Sequence, residues 1–273
     1  MMKTSITAIE SASWHTPLVL RGDHISCIRQ AARLGYEGIE LHLKDSDALD
    51  RQTLCSALKE NHIALTSIGT GPSYSQERIF FTHAEPEVRA EAIRRMKGHI
   101  RLGAETGAVV IIGLMKGQKK DCADPEKYGE YFKRGLEACL AEAERLKVTL
   151  AFEVIDRFES DWLNTVDEGL ALLQEYPSEF LTLHLDTFHM NIEEADIRQS
   201  ILGAKGYVGH VHIADNDRWY PGHGHYLFLE TLQALKDIGY EGTLALETNC
   251  LPSEEISARK SLENLRVMLG QLK

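Results

Sequence analysis

The chain reads as a single (β/α)₈ (TIM) barrel on two observations. Strand-like runs alternate with amphipathic helical stretches from end to end, and no Pro/Ser-rich linker or low-complexity tract interrupts them. Eight such units fill 273 residues, a length at which α/β barrels commonly form one domain. One domain over residues 1–273 is therefore expected. A doubly wound open sheet is the runner-up, but no G-x-G-x-x-G fingerprint follows the first strand.

The first strand is KTSITAI (3–9), followed by a helix at about 23–34 and the strand EGIELHL (37–43). A second helix is expected at about 46–60, then IALTSIG (63–69). The next helix, about 86–106, aligns Val88, Ile93, Met96 and Ile100 on one face. AVVIIGL (108–114) is continuously apolar, as in a parallel strand covered on both faces. A helix at about 125–147 follows, lined by Phe132, Leu136, Cys139, Leu140, Ala143 and Leu146. Thr165 and Glu168 have capping-box spacing and open the helix after the fifth strand. The last three helices are expected at about 193–204, 227–238 and 253–272. Two loops, about 70–85 and 214–225, exceed the usual few residues and read as lids or substrate walls.

Hydrophobic residues make up 43% and charged residues 26%, ordinary for a globular protein with a full core. A formal charge of −11 argues against a nucleic-acid backbone as partner, since phosphate binding needs a basic face. No apolar run approaches membrane-spanning length, so no membrane partner is expected. The five cysteines, Cys27, Cys55, Cys122, Cys139 and Cys250, form no C-x-x-C pair. Reduced thiols are expected, and with no apolar export segment at the N-terminus a cytoplasmic protein is expected.

The chemistry lies in strands five to eight. Glu153 in TLAFEV, Asp186 in LTLHLDT, His212 in GHVHIA and Glu247 in TLALET each fall near the carboxyl end of an apolar run. The outward sets are Leu150, Phe152 and Val154; Leu181, Leu183 and Leu185; Val211 and Ile213; Leu244 and Leu246. Side chains alternate faces along a strand, so the polar residue points away from the Leu/Val face. Barrel closure brings these strand ends to one rim, where active sites of this architecture lie. Three carboxylates and an imidazole there would repel one another without a cation between them. Oxygen-rich donors suit Mn²⁺ or Mg²⁺, then Co²⁺, better than zinc. Singly, each residue reads as a capped or salt-bridged strand end; jointly, the four read as a metal site.

Around them, Glu40 lies on the inner face of the second strand, and Trp14 and His15 follow the first. Trp14 reads as a core-packed aromatic. Arg157 reads as a rim salt bridge with Asp156 or Glu159, and Arg218 has the same alternative with Asp217. His184 and His210 read as hydrogen-bonded barrel residues, and Lys116 as solvated.

The stretches FEVIDRFESDWLNT, LDTFHMNIEE, GHVHIADNDRWYPGHG and ALET resemble the ketose 3-epimerase branch of the xylose-isomerase-like barrel superfamily, which includes D-tagatose and D-psicose 3-epimerases. The resemblance implies Glu153, Asp186, His212 and Glu247 as ligands of one divalent metal. It implies Glu153 and Glu247 as the acid/base pair, and Glu159, His189 and Arg218 as groups holding substrate oxygens. A small-molecule sugar substrate and a homodimer or homotetramer are implied with it. Asp156 stands where the family often has Asn, and ADNDRWYPGHGH departs from the hexulose-enzyme loop toward relatives acting on keto-uronates or other modified sugars.

The expected activity is epimerisation at the carbon next to the carbonyl of a ketose or keto-uronate, through an enediolate. An aldose–ketose isomerase on the same site is the alternative. A metal-dependent abasic-site endonuclease would want more histidine ligands and a basic surface. A non-catalytic sugar-binding barrel would have no need of both glutamates.

Overall fold

A computed structural model describes residues 2–272. Eight parallel strands form one sheet: β1 (Lys3–Ile9), β2 (Gly38–His42), β3 (Ala64–Gly69), β4 (Val109–Ile112), β5 (Leu150–Glu153), β6 (Leu181–Asp186), β7 (Val208–Ile213) and β8 (Thr243–Leu246). β1 pairs with both β2 and β8, which closes the barrel. A two-residue strand, Leu20–Arg21, pairs with the end of β1 at the rim.

Alternation decides what each face carries. Ile39, Leu41, Phe152, Leu183, Leu185, Val211, Leu244 and Leu246 point outward and are buried beneath the helices. The inward set is unusually polar: Thr7, Glu40, His42, Ser67, His184, His210 and His212 are all buried. Barrel interiors of this type are commonly packed with branched apolar side chains. Here that region must instead satisfy hydrogen bonds, because an unpaired buried polar group is costly.

The helical layer comprises α1 (His24–Leu34), α2 (Arg51–Glu60), α3 (Gly71–Glu77), α4 (Pro86–Thr106), α5 (Tyr128–Leu146), α6 (Val166–Glu175), α7 (Thr187–Glu193), α8 (Ile197–Gly203), α9 (Phe228–Asp237) and α10 (Glu254–Gly270). Capping sets several starts. Asp23 accepts from Ser26 N at α1, and both halves of the expected capping box at Thr165 and Glu168 are present at α6.

Three expectations change. The helix expected at 46–60 is a 3₁₀ turn, Ser46–Ala48, then α2, because Asp50 caps a new start by accepting from Thr53 N. The stretch expected as helix at 193–204 is the end of α7 and a separate α8, divided where Asp196 accepts from Gln199 N. The long 70–85 loop contains α3, with Pro72 in its first turn. All five cysteines are free thiols.

Thr165→Ala removes the α6 cap and leaves the Glu168 N–H exposed to competition from water. Loss of about 1 kcal/mol in unfolding free energy is expected by denaturant titration.

Candidate active site

Strand stagger, not equal position along each strand, brings the four expected residues together. Asp186 lies opposite His212 in register, whereas Glu153 lies opposite His184, two residues earlier on β6. His212 lies opposite Ala245, so Glu247 sits two residues further on, just past the end of β8. Tilted strands in a closed barrel require such an offset.

Glu153, Asp186 and His212 each present a ligand atom within 4.8 Å of the others. His212 Nδ1 is 3.9 Å from Asp186 Oδ2 and 3.4 Å from Glu247 Oε2. Asp186 Oδ2 and His212 Nδ1 are buried and have no hydrogen-bond partner. Asp186 Oδ1 meanwhile accepts from Phe188 N at 2.8 Å, so one oxygen starts α7 and the other is left for the site. Two buried ligand atoms without a hydrogen bond, Asp186 Oδ2 held by its ion pair with Arg218, stand beside two more carboxylates and fit a divalent cation, which would offset the crowded negative charge. Gly113 makes room: a Cβ there would strike Glu153 Oε2.

Beneath this layer Glu40 is fully buried and takes hydrogen bonds from four groups. They are His42 Nε2 at 2.7 Å, Ser67 Oγ at 2.5 Å, His210 Nε2 at 2.8 Å and His212 Nε2 at 2.9 Å. Burial opposes its ionisation, but His212 and the imidazole hydrogen bonds outweigh that and hold it well below the usual carboxylate range. Holding the proton of His212 on Nε2 leaves Nδ1 as the lone-pair donor facing the site, the arrangement of a carboxylate–histidine–metal relay.

The two glutamates have opposite environments. Burial pushes Glu153 up to about 7, with His189 opposing and Glu247 reinforcing the shift. Burial acts on Glu247 too, but His212 and Arg218 outweigh it and hold the carboxyl far below its ordinary value. Arg218 adds to the effect of His212: its Nη2 donates to Glu247 Oε2, and its Nη1 lies 3.1 Å from Asp186 Oδ2. The residue holds a left-handed backbone conformation, φ +63°, and its guanidinium lies 4.5 Å over the Phe188 ring. Strain of this kind clusters at functional sites. The partner expected for Arg218, Asp217, is instead bound to His223.

His189 is oriented by Asp156, whose Oδ2 lies 2.6 Å from His189 Nδ1. That leaves Nε2 toward the site, 3.7 Å from Asp186 Oδ2 and 4.0 Å from Glu153 Oε1. Burial disfavours charge on His189, but Asp186 and the Asp156 hydrogen bond outweigh it and raise its pKa. Glu159, His189, Arg218, Glu153, His212 and Glu247 all line one cavity of about 440 Å³.

Other expectations are corrected. Trp14 is 67% exposed and packs against Arg21 rather than in the core. Arg157 does form a rim ion pair, but with Glu193 at 2.6 Å. His210 is hydrogen-bonded as expected, whereas both nitrogens of His184 are buried without a hydrogen bond, the Nδ1 lying 3.8 Å from Glu153 Oε1. Lys116 is fully buried, donates to the Glu153 carbonyl at 3.3 Å, and is pushed down to about 8 by burial. His42 went unnoticed in the sequence, yet it lines the cavity 3.9 Å from Glu247. The signal was there: His42 is two residues beyond the inward Glu40. Its ring crosses the backbone at Gly69, where a Cβ would come within 2.5 Å of it.

A closed parallel barrel with an oxygen-rich donor set and paired glutamates at its rim defines a barrel with a candidate metal centre. The profile of the xylose isomerase-like TIM barrel family matches residues 28–268, and the chain belongs to that family, alongside the ketose 3-epimerases. A D-psicose 3-epimerase of Agrobacterium fabrum is 31% identical over 81% of this chain and 77% of its own length. An L-ribulose 3-epimerase of Mesorhizobium japonicum is 35% identical over 60% of this chain; the match spans 56% of that relative. The structure of a D-allulose 3-epimerase from Methylomonas sp. superposes with a TM-score of 0.82 at 25% identity, covering 98% of each chain.

Two outcomes follow from the geometry. Glu40→Gln should weaken Mn²⁺ binding by about 10–100-fold in calorimetric titration while the protein stays folded. In the metal-free protein Glu153 and His212 both hold protons at pH 6, the carboxyl through burial and the imidazole because Glu40 and Glu247 outweigh its desolvation. Metal uptake must release them, so affinity should climb as pH rises from 6 to 7, by about tenfold per unit for each proton released. Glu153→Gln should remove one proton from that release, measured in buffers of different ionisation enthalpy.

Proposed function

We propose that the chain is a metal-dependent sugar epimerase that inverts the carbon next to the carbonyl of a ketose or keto-uronate. The observation that carries the reading is the pair of glutamates on β5 and at the end of β8, with the β6 and β7 donors between them. They sit in one cavity and are held at opposite ends of the carboxyl pKa range. Glu153, Asp186, His212 and Glu247 would hold the metal, and the oxygen-rich set favours Mn²⁺ over zinc, with Mg²⁺ or Co²⁺ as substitutes. The chain would act as one domain over residues 1–273, in the cytoplasm, as a homodimer or homotetramer.

The bound cation supplies Lewis acidity to the substrate's carbonyl and neighbouring hydroxyl oxygens. The protein moves the proton. One glutamate removes the hydrogen from the carbon on its own face, leaving the electron pair in an enediolate. The other glutamate delivers a proton to the opposite face, which inverts the centre and restores the ketone. The roles exchange when the reaction runs backward, so both carboxyls are needed in both directions. His189 Nε2 and the Arg218 guanidinium face the cavity and would hold substrate oxygens as negative charge develops. Glu159 would add an acceptor for a hydroxyl.

A hydride-shift isomerase would need a lysine at the carbonyl, and the Lys116 amine instead points to the backbone of Glu153, outside the cavity lining. The formal charge of −11 weighs against abasic-site DNA as substrate.

Incubation with ketoses and keto-uronates, Mn²⁺ and deuterated water tests the reading. Deuterium at the inverted carbon is expected, and chelation with EDTA should stop exchange until Mn²⁺ is restored. Glu153→Gln and Glu247→Gln should each lower kcat by about 10²–10⁴-fold; near-normal exchange in either variant would overturn the acid/base assignment.

A further inference from the structure

The loop after β7, residues 214–226, is wound around one fully buried carboxylate, that of Asp215. Asp215 Oδ1 accepts from Asn216 N at 2.9 Å and Tyr226 N at 3.1 Å, and Oδ2 accepts from Gly222 N at 2.7 Å. All three donors are backbone N–H groups. The main chain closes the turn as well: Arg218 N donates to the Asp215 carbonyl at 2.9 Å, and Asp215 N to the Trp219 carbonyl at 3.1 Å. Position 224 has room only for glycine, because a Cβ there would strike Asp215 Oδ1 and Asn216 Oδ1.

Arg218 rides on this ring. Its N–H is held by Asp215, its carbonyl accepts from Asn249 N at 2.7 Å, and its φ is +63°. Residues with a side chain avoid that region, so the surrounding bonds must hold the backbone there. From that backbone the guanidinium reaches both Asp186 and Glu247. The outer turn has anchors of its own. Asn264 Nδ2 donates to the Pro221 carbonyl at 2.7 Å, and the Tyr226 hydroxyl bonds Thr231 Oγ1 at 2.8 Å. Attachment of the loop to α9 and α10 therefore does not need the buried carboxylate; the inner curl does.

We infer that Asp215 is a positioning residue that acts on the reaction through Arg218, by curling the loop so that the guanidinium meets the two carboxylates. The task demands a carboxylate. Three N–H groups aimed at two oxygens need an acceptor on both sides, and an amide would set its NH₂ against one of them. The kinetic consequence rests on the epimerase reading, whereas the placement of Arg218 does not.

Asp215→Asn keeps the size and removes one acceptor. Crystals of the variant should show the Arg218 guanidinium withdrawn from Glu247 and Asp186. In Mn²⁺-loaded exchange with ketoses and keto-uronates in deuterated water, kcat should fall about 10²-fold, the cost of a misplaced group. In an Arg218→Met background the same change should cost no more than about twofold, because the group it places is already gone. Gly224→Ala presses on the same carboxylate from the other side and should reproduce both results; it decides the matter if Asp215→Asn does not fold. An unmoved Arg218 in the variant crystals, or a loss as large in the Arg218→Met background as in the parent, overturns the inference and leaves Asp215 as loop packing. No exchange by the parent protein overturns the epimerase reading instead, and the variant crystals still decide what places Arg218.

Discussion

Crowding of negative charge at the mouth of a closed barrel is the constraint to which the rest of the structure answers. Glu153, Asp186 and Glu247 converge there, and Glu40 lies ionised beneath them. Against these stand the His212 and His189 imidazoles and the Arg218 guanidinium, all buried. Without that guanidinium and those imidazole donors the carboxyls would protonate or the strand ends would separate. Local features serve the same end: Gly113 yields space to Glu153, Asp186 divides its oxygens between α7 and the site, and Arg218 holds a strained backbone to reach two carboxylates.

The arrangement is layered. The lower layer, Glu40 with His42, Ser67, His210 and His212, replaces the usual apolar filling of a barrel by a hydrogen-bonded cluster. Its role is orientation, because it fixes which nitrogen of His212 faces upward. The upper layer then needs no rearrangement to present donors. Asp156 does the same for His189, so two imidazoles at the site are set by carboxylates behind them. Preorganised polar groups of this kind lower the cost of stabilising charge that develops during a reaction.

Much of this was legible in the sequence, for a definite reason. Strand alternation has a period of two, so a polar residue on the inward side of an apolar run announces itself, and the four donors on β5 to β8 were found that way. The same rule pointed to His42 two residues past Glu40, but a single inward histidine on a different strand lacked neighbours in sequence to draw notice. Lys116 and Trp14 were misplaced because a lysine's stem and an exposed indole are decided by tertiary packing, with no periodic trace. The splits at Asp50 and Asp196 were hidden because apolar spacing continues through a capping residue that starts a new helix. Strand stagger was also invisible, since register depends on barrel closure rather than on any one strand.

The central claim is that one cation is bound at the meeting point of these four side chains. Crystals soaked with Mn²⁺ and measured for anomalous scattering test it most directly. The account predicts one strong peak within about 2.0–2.5 Å of oxygen or nitrogen atoms from Glu153, Asp186, His212 and Glu247 together. A peak instead among the His184, His210 and His212 rings one layer down, or no peak in the cavity at saturating Mn²⁺, would contradict it.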